Sequence, residues 1–401
     1  MLFLTAEKTV VLHRLIDMYE YLNEERIRTL NKFRKSEYAR CEKGHIILLR
    51  SLDKSATSIL AKRVRRRLGE DVNMCPICGA RIVEKFVAGI DVTDVDSFLK
   101  KARQKYQHEI EKIVRLHPVY TYWLQHVRGI GPCHSGRLIY ILETTRDLTA
   151  PSRMEKRCGL YVVAVCHKCR IYIEGIKNNA EYRCPLCSEK MTRCAVAKWL
   201  TQYRRYPDPY PPGSGPLDPQ LQTFIYRLTN ELIDRAYMAL VKSYRTGELS
   251  HLDESPAYGI IGLYKRYSKY LEARKLGLDE AQAWRHAISS SWRALGRLIL
   301  RHLWYVAMAL KYGPSEELLY RTLPRGVVDG GVADHIVLVP IIDKKRREEA
   351  QTFYRKIMPE NKMHLVALTQ AKIEEMKNKI YQIYTQVIVP QQDRKKRKTQ
   401  K

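Results

Sequence analysis

Two cysteine pairs, Cys166-x2-Cys169 and Cys184-x2-Cys187, stand fourteen residues apart. Two residues between thiolates let a tight knuckle close, and two knuckles complete a tetrahedral Zn²⁺ site with sulfurs about 2.3 Å from the metal. The doubled spacing predicts a structural zinc ribbon. A second set is looser: Cys41 and His45 in "CEKGH", Cys75 and Cys78 in "CPICG". These four make a Cys3His set if the residues between the halves fold back, which is expected as a helical excursion. Neither set has an obvious open position beside a Glu, so zinc is expected to fold the protein rather than to react. Cys133, Cys158 and Cys194 have no partner at ligand spacing and are expected as small core residues.

A different chemistry is encoded in "WLQHVRGIGPCHSGRLIYILETT", Trp123 to Thr145. An apolar helical run stops at Gly-x-Gly-Pro and a second helical run starts at once. Gly129 and Gly131 are expected to take backbone conformations closed to residues with a Cβ, and Pro132 suits the first turn of a helix. Ile130 should point inward and lock the turn. Amides at such a corner and at the helix start converge on one point, which is a phosphate site. Arg128, Ser135 and Arg137 are expected to add contacts to the same strand. Contacts of this kind hold backbone rather than bases, so binding should be largely indifferent to sequence.

Composition supplies the anionic partner. In 401 residues, 71 Lys and Arg against 43 Asp and Glu leave a formal charge of +28, while 45% apolar and 28% charged residues are ordinary for a globular chain. An excess of that size points to nucleic acid, because phosphates neutralised by Lys or Arg release condensed counterions. No run of about 18 apolar residues predicts a membrane span, and charges arrive too early in the N-terminal segment for a secretory core. The expected location is therefore cytoplasmic, nucleoid-associated in a prokaryote, with no membrane partner. Ten cysteines in that setting argue for metal rather than disulfides.

The segment from Trp123 to about Tyr161 resembles insertion-sequence transposases of the bridge-RNA-guided serine type. In that family a Gly-x-Gly-Pro hairpin, a helix ending near an acidic residue and a "CGL"-like segment follow one another, here "VRGIGPCHSGRLIYILETT" and "EKRCGLYVV". "AWRHAISSSWRALGRLILRHLW", Ala283 to Trp304, is more loosely similar to the terminal helix of related proteins. The resemblance implies DNA recombination, transposition and a guide RNA. It also implies an N-terminal nuclease domain with four carboxylates, for which this chain has no room. "VAGIDVTDVD" looks like the first strand of such a domain but lies only about thirty residues before the hairpin, so Asp91 and Asp94 are expected as turn or N-cap residues. The family's nucleophilic serine has one comparable position, Ser214 before Gly215, in a Pro-rich arm that offers neither a base nor held geometry. Mg²⁺ is expected only if the chain is catalytic.

The elements that must position these groups are mainly helical. The expected fold class is mainly α: a helix-hairpin-helix DNA-binding module, one or two small zinc-ribbon elements and a C-terminal helical bundle. Residues 1–92 form an N-terminal helical region with zinc knuckles, including a helix from Ser51 to Leu68 that ends in the basic run "KRVRRRLG"; 93–160 carry the hairpin module and 161–200 the ribbon, with strands in "LYVVAV" and "RIYIEGI". Residues 201–220 are a Pro-rich linker, 221–322 a helical domain, 323–390 a hairpin plus helix, and 391–401 a basic tail. In the helical domain Ile288, Trp292, Leu295, Ile299, Leu303 and Val306 form a core stripe. His286, Arg293, Arg297 and Arg301 share another row that could follow a phosphate backbone. "YKRYSKYLEARK" interleaves Tyr264, Tyr267 and Tyr270 with Lys265, Arg266 and Lys269, a pattern that serves either packing or stacking on bases. The leading expectation is a DNA-binding, transposase-like protein. Alternatives are an active strand-transfer enzyme and an RNA-binding ribonucleoprotein component, and self-assembly into a homo-oligomer is compatible with all three.

Overall fold

Why the first long helix stops where it does is a matter of side-chain chemistry: the helical repeat from Thr5 ends in "NKFRKSEYARC", where alternating residues take over. The structure, a computed structural model, describes residues 3–33, 36–48, 75, 78, 80–88, 93–169, 171–173, 181–195, 218–322 and 353–391. The expected helix from Ser51 to Leu68, Asp91, Ser214 with most of the Pro-rich arm, the hairpin within 323–350 and the basic tail lie outside these residues. Two units are distinguished, Arg14–Glu109 and the remainder, Met1–His13 with Ile110–Lys401.

In the smaller unit, α1 (Ala6–Phe33) contributes its part from Arg14 onward and α2 (Thr93–Val114) its part up to Glu109. The two run antiparallel, because Asn23 accepts from Arg103 at 2.7 Å and Arg26 meets Asp96 at 2.5 Å. Asp94 and Asp96 lie in the first turn of α2, where acidic groups complement the helix dipole. Three strands complete the unit: β1 (Ser36–Cys41), β2 (Ile46–Leu48) and β3 (Ile82–Ala88), antiparallel in the order β2-β1-β3. A helical region with zinc knuckles was expected over 1–92, and this sheet was not.

The larger unit is mainly helical. α3 (Pro118–Tyr122) and a 3-10 turn (Leu124–His126) precede the Gly-Ile-Gly-Pro corner, and α4 (Pro132–Thr144) follows it. The run before the corner is thus broken rather than continuous: Pro118 opens it, and Trp123 at φ −130°, ψ −67° leaves the helical region. α5 (Ser152–Arg157) leads to β4 (Val162–Cys166), β5 (Ile171–Ile173) and β6 (Thr192–Ala195), an antiparallel sheet ordered β5-β4-β6. Strands were expected at both "LYVVAV" and "RIYIEGI", and both are present.

The helical bundle begins at α6 (Pro219–Thr246), whose cap Asp218 accepts from the amides of Gln220 and Leu221. α7 (Ser250–Asp253), α8 (Ala257–Lys275), α9 (Glu280–Tyr312) and α10 (Glu316–Thr322) follow. α11 runs from His364 to Ile383 and ends in a π turn, Tyr384–Ile388. Pro359 and a 3-10 turn, Glu360–Lys362, precede it. α8 and α9 are antiparallel, their register fixed by Tyr258 Oη to His302 Nδ1 at 2.8 Å and by Arg266 Nε donating to Ser291 Oγ at 3.3 Å. Helix α6 approaches α8 closely, since a Cβ on Gly259 would lie 2.2 Å from the Leu232 carbonyl oxygen.

The core stripe of α9 is buried at Trp292, Leu295, Ile299, Leu303 and Val306, whereas Ile288 is exposed. Trp304 and Tyr305 add bulk, each contributing on the order of 2–3 kcal/mol through burial. Tyr267 and Tyr270 are likewise core residues, with Tyr270 stacked on Trp284 at a ring distance of 4.3 Å. They therefore pack protein and offer no platform for bases.

Candidate metal centres and corner

Cys41 ends β1, and a turn through Gly44 returns the chain so that Cys41 N–H donates to the His45 carbonyl at 3.1 Å. Cys75 N–H donates to the Ala80 carbonyl at 2.7 Å, which closes the second knuckle. The two knuckles meet. His45 Nδ1 lies 3.2 Å from Cys78 Sγ, 3.6 Å from Cys41 Sγ and 3.9 Å from Cys75 Sγ, and the two thiols Cys41 and Cys78 are 3.7 Å apart. In a regular tetrahedron with Zn–S bonds of about 2.3 Å the sulfur–sulfur edge is about 3.8 Å. The spacing of the donor set is compatible with a zinc ion, and Nδ1 is the His45 atom that faces the three thiols.

The second centre is built on the β4–β5 turn and the knuckle from Cys184 to Cys187. Cys184 N–H donates to the Glu189 carbonyl and Ser188 N–H to the Cys184 carbonyl, both at 2.8 Å. Cys166 Sγ and Cys187 Sγ are 3.5 Å apart, and Cys169 N–H points at Cys166 Sγ at 3.4 Å. Each of the two groups brings four ligand atoms within 4.8 Å of one another. In each, one thiol is drawn toward ionisation. Burial raises the Cys41 thiol, but backbone donors at His45 and Lys43 outweigh it and bring it down to about 6. Burial likewise opposes, and backbone donors at Leu186 and Cys187 outweigh it, to bring Cys184 down to about 7. Both clusters could hold zinc. Of the cysteines expected in the core, Cys158 is fully buried, whereas Cys133 is only partly so.

At the corner, Gly129 has φ +89°, and a Cβ there would meet Leu232 Cδ2 at 2.6 Å and Pro256 Cγ at 3.0 Å. This glycine is required twice over, by conformation and by space. Gly131 differs from expectation: at φ −85°, ψ 179° it is ordinary extended backbone, exposed, and a Cβ would have nothing within 4 Å. It caps α4 without a side-chain acceptor, and Pro132 takes the first helical position. Ile130 is buried, as expected, and its N–H donates to the Val127 carbonyl at 3.1 Å. Arg128 is exposed, with Nη1 donating to the Asp253 carbonyl at 3.4 Å.

Ser135 and Arg137 correct the sequence reading. Both are buried, because α4 is enclosed on most of its circumference. Arg137 Nη1 lies 3.2 Å from His13 Nδ1, and the His13 ring stacks on Tyr140 at 4.3 Å. Neither side chain is open to solvent at the corner. Arg293 and Arg297 on α9 are half-exposed, Arg293 over the Trp292 ring at 5.6 Å. Sequence reasoning missed a buried pair behind the corner, His117 and Glu143, whose signal was a lone His before Pro118 and a Glu inside an apolar run.

Among the described residues the two cysteine groups are the clusters that could hold a metal, and neither contains a carboxylate. The acids beside the corner are engaged elsewhere: Glu231 with His134 and Arg235, Asp253 with Lys377. No family model, curated protein or solved structure matches the chain. No helix among the described residues is long and apolar enough to cross a membrane.

Proposed function

We propose that the chain is a nucleic-acid-binding protein, most directly for DNA, that grips phosphates at the corner from Arg128 to Pro132 in the manner of a helix-hairpin-helix. The observation that carries the reading is Gly131: an exposed glycine that caps a helix without a side-chain acceptor, beside an exposed Arg128, in a chain of net charge +28. A helix start of that kind presents its dipole and amides to an oxyanion. Zinc serves as scaffold in the ribbon and in the N-terminal cluster, since both donor sets are complete with four ligands and leave no position for a reacting water.

The relationship to transposases of the bridge-RNA-guided serine type belongs to the same proposal. It rests on the Gly-x-Gly-Pro corner and the "CGL" segment. On this reading the protein binds DNA or a DNA–RNA complex, and the chemistry of strand transfer is assigned to no residue of the chain.

Binding of random duplex DNA across a salt series tests it. The logarithm of the association constant should fall linearly with the logarithm of salt, with a slope of about −0.9 per phosphate neutralised. A flat response removes the phosphate claim. Structured RNA of equal length, added as competitor, decides which polymer is preferred.

A further inference from the structure

The apolar stripe of α11 contains a lysine. Ile373, Met376, Ile380 and, in the turn beyond, Tyr384 are buried at helical spacing, and Lys377 stands in the same stripe, only 5% exposed. A charge at such a position is costly unless it is paired. Lys377 Nζ lies 2.7 Å from Asp253 Oδ1 and 2.7 Å from Glu374 Oε1, the latter a neighbour on its own helix and largely in water. Asp253, at the end of α7, is the partner that another element supplies.

Asp253 is engaged through its side chain and its main chain at once. Its carboxylate takes Lys377, and its carbonyl oxygen accepts from Arg128 Nη1 at 3.4 Å. The intervals along the chain are 125 residues to Arg128 and 124 to Lys377, so folding alone brings the three together. The same turn supports the corner a second time at Pro256, whose Cγ would lie 3.0 Å from a Cβ on Gly129. Between these two contacts Ser255 is buried, its N–H donating to the Leu252 carbonyl at 3.1 Å. The turn 253–256 thus meets the corner with one polar and one apolar contact, and Lys377 holds its first residue.

We infer that Lys377 is a positioning residue for nucleic-acid binding: through Asp253 it fixes the turn that orients Arg128 and backs Gly129, so α11 serves the corner without touching the ligand. The inference rests on the reading of the corner as a phosphate grip. A guanidinium carries five N–H donors in a rigid fork. One donor on the Asp253 carbonyl leaves the others for an oxyanion and reduces the rotamer freedom that binding must remove. Lys377 itself is too deeply buried to meet a phosphate.

Random duplex DNA titrated onto the full chain with zinc tests it, in a double-mutant cycle. Lys377→Met keeps the stripe of α11 filled and removes the ammonium. It should weaken binding by about threefold to tenfold, the scale of one long side chain that must be ordered anew. In an Arg128→Ala background the same substitution should cost no more than about twofold, because the group it positions is gone. Arg128→Ala alone should reduce the salt slope by about one, whereas Lys377→Met should leave the slope at the parent's value. Lys377→Gln retains an N–H for the Asp253 carboxylate and should recover part of the affinity; it also carries the cycle if the methionine variant does not fold. An equal loss in both backgrounds means general destabilisation and overturns the inference, as does full affinity in Lys377→Met. A slope lowered by Lys377→Met itself would make Lys377 a direct contact and overturns it too. The corner is judged separately. If Arg128→Ala and Gly131→Asp both bind DNA as the parent does, the corner reading falls and takes this inference with it; a loss in those two without coupling to Lys377 removes this inference alone.

Discussion

His117 Nε2 lies 3.0 Å from Glu143 Oε1, and both side chains are fully withdrawn from water. The Val119 amide donates to His117 Nδ1 at 3.2 Å, so Nε2 carries the proton and donates to the carboxylate. The same Glu143 oxygen accepts from the amides of Phe3 at 2.8 Å and Leu4 at 3.4 Å. One carboxylate at the end of α4 therefore ties the start of the chain to the segment that enters the corner.

Glu143→Ala should destabilise the protein by on the order of 3–5 kcal/mol, because it leaves an imidazole N–H and two amides unsatisfied in an apolar interior. Urea unfolding of parent and variant measures it. A loss under about 1 kcal/mol would mean that water or a neighbouring group replaces the carboxylate.

The two glycines of the corner should respond in opposite ways. Gly129→Ala places a Cβ at φ +89° and 2.6 Å from Leu232 Cδ2, and should cost about 1–3 kcal/mol. Gly131→Asp meets no atom within 4 Å, gains a capping acceptor, and should hold or raise stability by a few tenths of a kcal/mol up to about 1. The same carboxylate sits where a phosphate is proposed, so DNA affinity should fall while the melting temperature does not. Unchanged affinity in Gly131→Asp would place the phosphate contact elsewhere.

Zinc content follows from the two donor sets. The purified protein should carry two zinc equivalents, with Cys184→Ser losing the ribbon's ion and Cys78→Ser the other. Elemental analysis counts the metal. A strong chelator should lower the melting temperature, since binding free energy at such sites is folding free energy. Retention of both equivalents in Cys184→Ser would refute the assignment of the ribbon ligands.

Acid should loosen the smaller unit through Asp96. Lys100 first and then Arg26, at 2.7 Å and 2.5 Å, hold its carboxyl below the ordinary carboxylate range. A depressed folded value contributes stability that is fully present above the unfolded value of about 4 and is lost as pH falls through the folded value. The difference in stability between parent and Asp96→Asn should therefore be larger at neutral pH than near pH 3. Denaturant midpoints at the two pH values give the comparison, and an equal difference at both would show that Asp96 contributes no ionic stabilisation.

The two clusters that could hold a metal, the helical character of the chain and the strands at β4 and β5 were legible in the residues because each depends on local geometry. Two residues between cysteines close a knuckle whatever surrounds it, and an apolar repeat of about 3.6 marks a helix with one face inside. The stripe from Trp292 to Val306 is buried for that reason. Its neighbour Ile288 has the same periodicity and is exposed, since burial also needs a partner at that height of the helix.

Long-range packing settled the rest. Arg137 has the spacing of a ligand-binding arginine, yet α4 is enclosed and turns it toward His13, more than a hundred residues earlier in the chain. Gly129 and Gly131 look equivalent as letters. Only the first meets Leu232 and Pro256, because α6 and the turn before α8 come to rest against that side of the corner. The N-terminal sheet is not legible in the residues because β1 pairs with β3 across an interval of more than forty residues, and a three-residue β2 has too few positions to reveal its period of two. Chain-local chemistry determines which groups are available to bind metal or phosphate. The meeting of distant elements determines which of them face outward, because burial is a property of two surfaces and a single stretch of sequence describes only one.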